Sequence, residues 1–200
     1  MKTVCLDPGH GGTDPGALTP SGYQEQFYTL DVCRRVRDIL APYCNVIMTR
    51  DGEGSYVGLT ARAEYSNRND SDIFISYHFN SADSDAASGF ELFTTPPENN
   101  SDKLAACIWS AHRKQFPTQK DRGVKTANFT VIAKAACPAV LVEGEFIHNK
   151  AGEAFVQSKE NRQQMAHAVA DGALAYLGLD TAPVLTLEQR VVRIEDHLGI

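Results

Sequence analysis

The sequence predicts an α/β fold: a single domain on a mixed, mostly parallel central sheet of about six strands, with helices on both faces. Three observations predict it. Short apolar runs alternate with helix-period segments, the order expected of strands joined through crossing helices. At 200 residues the chain can bury one sizeable core and is marginal for two. Several apolar runs end in polar side chains of metal-binding type, and α/β sheets build their sites at strand ends.

The first strand, Thr3–Leu6, carries the run Val4-Cys5-Leu6 and stops at Asp7-Pro8-Gly9-His10-Gly11-Gly12. Gly9, Gly11, Gly12 and Gly16, with Pro8 and Pro15, make the loop tight and shaped. It contains neither G-x-G-x-x-G nor the P-loop lysine pattern, so phosphate cradling is a poor reading. A helix over Gln24–Leu40, a strand over Asn45–Thr49 and a helix over Leu59–Asn67 continue the alternation. The strand Asp72–Tyr77 ends at His78, and Gly89–Thr94 follows as the next strand before a helix at Ser101–Phe116. Two more strands are expected at Thr130–Ala133 and Ala139–Glu143. A short turn around Ala151–Val156 leads to the last long helix, Asn161–Leu177. There Met165, Val169, Ala173 and Leu177 fall one turn apart as an apolar stripe.

Residues 1–179 therefore read as the main domain, 180–186 as a linker and 187–200 as a short amphipathic helix. Thr186 and Gln189 resemble a capping box, and Leu187, Val191, Ile194 and Leu198 follow the 4-3-4 spacing of a coiled-coil seam. A helix of about 12 residues is marginal alone in water. This one needs a surface, either its own domain or a second copy of the chain.

With 42% hydrophobic and 22% charged residues, the composition is that of a soluble globular protein rather than a disordered one. A net charge of -6 argues against nucleic acid as a partner, which usually demands a basic face. No apolar run approaches the roughly 20 residues that span a bilayer, so no membrane partner is expected. Met1-Lys2-Thr3 runs straight into a strand, without the pattern of a secretory signal, which implies cytoplasmic synthesis. The five cysteines are odd in number and widely spaced, and they read as buried reduced thiols.

His10 and His78 close two separate apolar runs, and Glu143 ends a third. Two imidazoles and one carboxylate form a ligand set for catalytic zinc, with a fourth position left to water. A further glutamate can then carry the proton of a hydrolysis. Glu25, taken alone, is equally a solvated carboxylate favoured at a helix start. Glu143 sits in so apolar a run that burying it without a purpose is costly. Glu145 lies two residues on, on the same face if the strand persists, and is an alternative base. Arg50 and Arg62 read as salt-bridging residues, His148 as a loop residue, and His112, His167 and His197 as surface or packing residues. His-Glu-x-x-His is absent, so the common zinc-endopeptidase arrangement is unsupported.

Several segments occur together in one order: Leu6-Asp7-Pro8-Gly9-His10-Gly11-Gly12 with Asp14-Pro15-Gly16-Ala17, Gly22-Tyr23-Gln24-Glu25, Thr49-Arg50 and Leu59-Thr60-Ala61-Arg62 with Asn67. Ser76-Tyr77-His78-Phe79-Asn80-Ser81, Gly89-Phe90-Glu91, Arg122-Gly123-Val124-Lys125 and Pro138-Ala139-Val140-Leu141-Val142-Glu143 complete them. In this the chain, from about Lys2 to Leu179, resembles the zinc-dependent N-acetylmuramoyl-L-alanine amidases of the type-3 class, found in bacterial autolysins and phage endolysins. The resemblance implies that His10, Glu25 and His78 hold Zn2+ and that Glu143 is the catalytic glutamate. It also implies a substrate: bacterial peptidoglycan, cut between N-acetylmuramic acid and the L-alanine of the stem peptide. A phage endolysin acting on the wall after release is the setting that the missing signal suggests. Two alternatives stand beside it, a zinc carboxypeptidase on the stem peptide and a non-catalytic wall-binding module of the same fold. Relatives commonly continue Gly-Phe-x-Ser-Asn after the catalytic glutamate. Here Gly144-Glu145-Phe146-Ile147-His148-Asn149 stands instead.

Overall fold

A computed structural model describes residues 1–179. The linker and amphipathic helix expected over 180–200 lie outside the described residues. Twelve elements follow in chain order: β1 (Thr3–Pro8), α1 (Glu25–Leu40), β2 (Asn45–Met48), α2 (Leu59–Arg68), β3 (Ile73–Asn80), β4 (Phe90–Thr94), α3 (Asn100–Gln115), β5 (Asp121–Thr126), α4 (Thr130–Ala133), β6 (Ala139–Phe146), α5 (Lys150–Gln157) and α6 (Lys159–Leu177). The six strands form one sheet in the order β2-β1-β3-β6-β4-β5. Every pair is parallel except β4 with β6, so the sheet is mixed and mostly parallel, as the alternation predicts.

Side chains alternate across the strands and divide the core into two layers. On one face Val4, Leu6, Ile73, Ile75, Tyr77, Val140 and Val142 pack beneath α1, α3 and α6. Fully burying each such side chain is worth roughly 1.5–3 kcal/mol, so this larger layer dominates stability. On the other face Cys5, Phe74 and Leu141 meet Val131 and Ile132 of the short α4, with Tyr65 of α2 at the margin. Because α2 and α4 are short, this second face is left open toward the carboxyl ends of β3 and β6. Asp7, Ser76, His78 and Glu143 continue that face's parity, so the polar strand ends line the open part.

Two expectations fail. Thr130–Ala133 is a single helical turn, not a strand: Ala133 N donates to Phe129 O at 2.9 Å and Lys134 N to Thr130 O at 3.2 Å. Its consecutive Val131 and Ile132 are both buried on one core, whereas a strand would point them to opposite faces. The strand that was not expected is β5, formed by Asp-Arg-Gly-Val-Lys-Thr. It is a sheet edge paired only with β4, so no apolar alternation is demanded of it. All five cysteines are free; Cys5, Cys33 and Cys44 are buried and the other two half-buried. No helix among the described residues is long and apolar enough to cross a membrane.

Candidate metal centre and active site

His10 enters from the loop after β1 and Glu25 from the first turn of α1. His78 comes from the end of β3. His10 Nε2 lies 3.1 Å from Glu25 Oε2, His78 Nδ1 lies 3.2 Å from Glu25 Oε1, and the two ring nitrogens are 3.2 Å apart. Four ligands held about 2.05 Å from a tetrahedral zinc would be separated by about 3.3 Å. The spacing of the two ring nitrogens from each other and from the two carboxylate oxygens, with their nitrogen–oxygen chemistry, fits such an ion. Together they are a His/Glu/His group suited to holding a metal.

The surroundings orient His10 and Glu25. His10 Nδ1 pairs with Asp14 Oδ2 at 2.9 Å, which turns Nε2 inward. Glu25 is buried, and its oxygens accept from Ala17 N and Phe79 N, each at 2.8 Å. Burial alone would raise the Glu25 carboxyl, but His10 and His78 outweigh it and bring it down to about 2. Burial likewise lowers His10, and its bonds to Glu25 and Asp14 reverse the direction, so its pKa is raised.

The loop that presents His10 is strained and clamped. His10 itself has φ 63°, a left-handed conformation uncommon outside glycine. A Cβ on Gly9 would fall 2.3 Å from the His78 ring, so only glycine lets the two histidines meet. Arg62 donates to Pro8 O at 2.7 Å and His10 O at 2.6 Å while pairing with Asp7 at 2.7 Å. Arg50 donates to Pro8 O at 3.1 Å and Gly9 O at 2.9 Å, with no carboxylate partner among the described residues. These arginines are buried backbone clamps, and among the described residues only Arg62 makes the salt bridge expected of both.

Glu143 stands opposite His78 in the β3–β6 register, and Glu91 of β4 stands opposite Glu143. Glu143 Oε2 is buried with no hydrogen-bond partner among the described residues. Burial first, then the Glu25 and Glu91 charges, push its carboxyl well above the ordinary range. His10, Glu25, His78 and Glu143 line one groove of about 490 Å³, with Leu59 and Phe129 on its rim.

The profile of the family described as N-acetylmuramoyl-L-alanine amidase matches residues 4–175. The chain belongs to this family. Among similar curated proteins, the amidase LytC of Bacillus subtilis (strain 168) is 34% identical over 178 residues, covering 88% of this chain and 35% of LytC. The catalytic domain of CwlV, an amidase from Bacillus (Paenibacillus) polymyxa var. colistinus, superposes with a TM-score of 0.85 at 29% identity, covering 90% of this chain and 100% of that one. AmiC2 of Nostoc punctiforme gives 0.84 at 32% identity, covering 88% and 97%. The chain spans about a third to two thirds of the length of the first curated relatives it matches.

Within this amidase-family frame, Glu145 is turned to other work. It accepts from Gly89 N, from Gln119 Nε2 at 2.9 Å and from Phe146 N at 2.9 Å, so both oxygens are engaged away from the groove. The register shift between His78 and Asn80 breaks the alternation that would have placed it beside Glu143. His148 is half-buried in the loop after β6 and its Nε2 bonds Ser84 O at 3.0 Å. His112 is a buried packing residue, stacked on Phe90 with ring centroids 3.5 Å apart. Asp14 and Glu91 are the site-shaping residues that carried no signal beyond their place in the motifs.

Proposed function

We propose that this chain is a zinc-dependent peptidoglycan hydrolase that cleaves the amide between N-acetylmuramic acid and the L-alanine of the stem peptide. The observation that carries this reading is the convergence of His10, Glu25 and His78 in one groove beside Glu143, whose Oε2 has no hydrogen-bond partner among the described residues. His10 Nε2, His78 Nδ1 and a Glu25 oxygen would hold the ion. When bound, zinc supplies a Lewis acid that activates water and polarises a carbonyl. Asp14 keeps the His10 proton on Nδ1, so Nε2 keeps its lone pair for binding. Ala17 N and Phe79 N fix the Glu25 carboxylate, so the ligands need little reorganisation. Glu143 takes the proton of the attacking water and delivers it to the departing L-alanine nitrogen. Its buried setting among carboxylates favours holding that proton between the two events.

The test is digestion of purified cell walls followed by mass spectrometry of the soluble products. Free stem peptides beginning with L-alanine, lost on chelation and restored by zinc, are the expected result. Amino acids released from the carboxyl end of the stem would mean a carboxypeptidase, and wall binding without release would mean a non-catalytic module. The endolysin setting belongs to the same proposal, and the family admits it alongside an autolysin role.

A further inference from the structure

We propose that Arg122 and Lys125 form an anion-binding subsite for the free carboxylate of the second residue of the stem peptide. The inference rests on the amidase reading above and names the substrate feature that this groove selects. It starts from the row of side chains across the sheet. Glu143 pairs with Glu91 on β4, and Phe93 of β4 pairs with Lys125 on the edge strand β5. The groove floor thus continues past Glu143 toward two cations.

Both cations are held by one carboxylate. Arg122 Nε lies 2.6 Å from Glu91 Oε2, and Lys125 Nζ bonds the same oxygen. The other oxygen accepts from Asn80 Nδ2 at 2.6 Å, and Asn80 lines the groove. Neither cation has a second ion pair among the described residues, so one positive charge is left over at this point. That surplus stands out in a chain whose formal net charge is -6. The anchor is buried while the cationic side chains are 28% and 40% exposed, so the charge is fixed from below and open from above. Aromatic rings complete the mount: Arg122 lies 4.8 Å over Phe146, and Lys125 Nζ lies 5.7 Å from the centroid of Phe93. Phe93 in turn packs edge-on against Phe129 on the groove rim at 5.2 Å.

The reach suits a short peptide. Neighbouring strands lie about 4.8 Å apart, and both cations lean back over β4, one strand beyond Glu143. An extended peptide covers roughly 3.3–3.6 Å per residue, so two residues from the scissile amide bridge the gap. In the stem peptide the residue after L-alanine is a glutamate joined onward through its side-chain carboxyl. Its α-carboxyl is left free or capped as an uncharged carboxamide. A forked guanidinium beside an ammonium distinguishes these two, because only the carboxylate forms charge-assisted bonds to both.

The experiment compares L-Ala-γ-D-Glu-L-Lys with the same tripeptide carrying the α-carboxamide, titrated calorimetrically into the full chain. The free acid should bind on the order of tenfold tighter. In Arg122→Gln and in Lys125→Gln the acid-to-amide ratio should fall toward one, while Lys125→Arg, which retains the charge, should preserve it. Equal binding of acid and amide to the unaltered protein overturns the subsite, as does a ratio unchanged in both glutamine variants. Wall digestion in parallel reports on the amidase reading separately. Clearing with no preference sinks the subsite alone, whereas a charge-dependent preference without clearing sinks the amidase reading and leaves the anion site standing.

Discussion

Two glutamates two residues apart on β6 are chemically identical and structurally opposite. Glu143 keeps a buried oxygen without a partner in the groove, while Glu145 spends its oxygens on Gly89, Gln119 and Phe146. Glu143→Ala should therefore lower turnover by about 10²–10⁴-fold with zinc content by metal analysis unchanged. Glu145→Ala should instead cost about 1–3 kcal/mol in urea unfolding, because three donors lose their acceptor. Full activity in the Glu143 variant would transfer the role elsewhere. A second residue-scale prediction concerns His112, whose burial lowers its pKa to about 4 from 6.5. The unfolded chain then binds the proton more readily, so this contribution is intact above about pH 6.5 and is lost as pH falls toward 4. The loss is on the order of 3 kcal/mol. His112→Gln should flatten that part of the stability–pH curve. An unaltered slope between pH 7 and 4.5 would refute the assignment.

At the scale of elements, α6 meets α3 where Gly172 faces Ile108. A Cβ at Gly172 would fall 2.5 Å from Ile108 Cα, backbone that cannot turn aside. In an exposed helix a glycine-to-alanine change gains about 1 kcal/mol. Here the overpacking term of about 1–3 kcal/mol should win, so Gly172→Ala is expected to destabilise. A higher urea midpoint in that variant would show that the helices separate easily. Elements also separate what was legible from what was not. β1, β3 and β6 were readable because each is flanked on both sides and must be apolar, as in Val4-Cys5-Leu6 and Val140-Leu141-Val142. β5 was not, since an edge strand carrying Arg122 and Lys125 has no core to advertise. α4 was misread because β-branched Thr130, Val131 and Ile132 favour strands locally, and tertiary docking overrode that preference.

For the whole molecule, the metal group joins the β1 loop, α1 and β3, three parts brought together only by folding. Zinc binding the folded state alone should stabilise it by about 2.7 kcal/mol at a free concentration 100 times Kd. A chelator should lower the melting temperature reversibly, and an unchanged melting temperature on zinc addition would contradict the shared site. Removing residues 180–200 tests whether that segment covers its own domain or a second copy: the solution mass should fall for a second copy, the melting temperature alone should change for its own domain, and neither moving would end both ideas.

The residues themselves were enough for the fold class and the family, and they named the four side chains that the fold brings to one groove, because buried strands and ordered family segments constrain sequence strongly. His10 and His78 could be paired from their places at apolar strand ends, whereas Glu25 needed the family motif, since a helix-start carboxylate looks the same whether it binds metal or water. Folding alone decided that Arg50 and Arg62 clamp the Pro8–His10 backbone, that Glu145 faces away from Glu143, and that Glu91 gathers two cations beside the groove. Those outcomes depend on a one-residue register shift and on contacts between distant segments. Local composition carries no record of either.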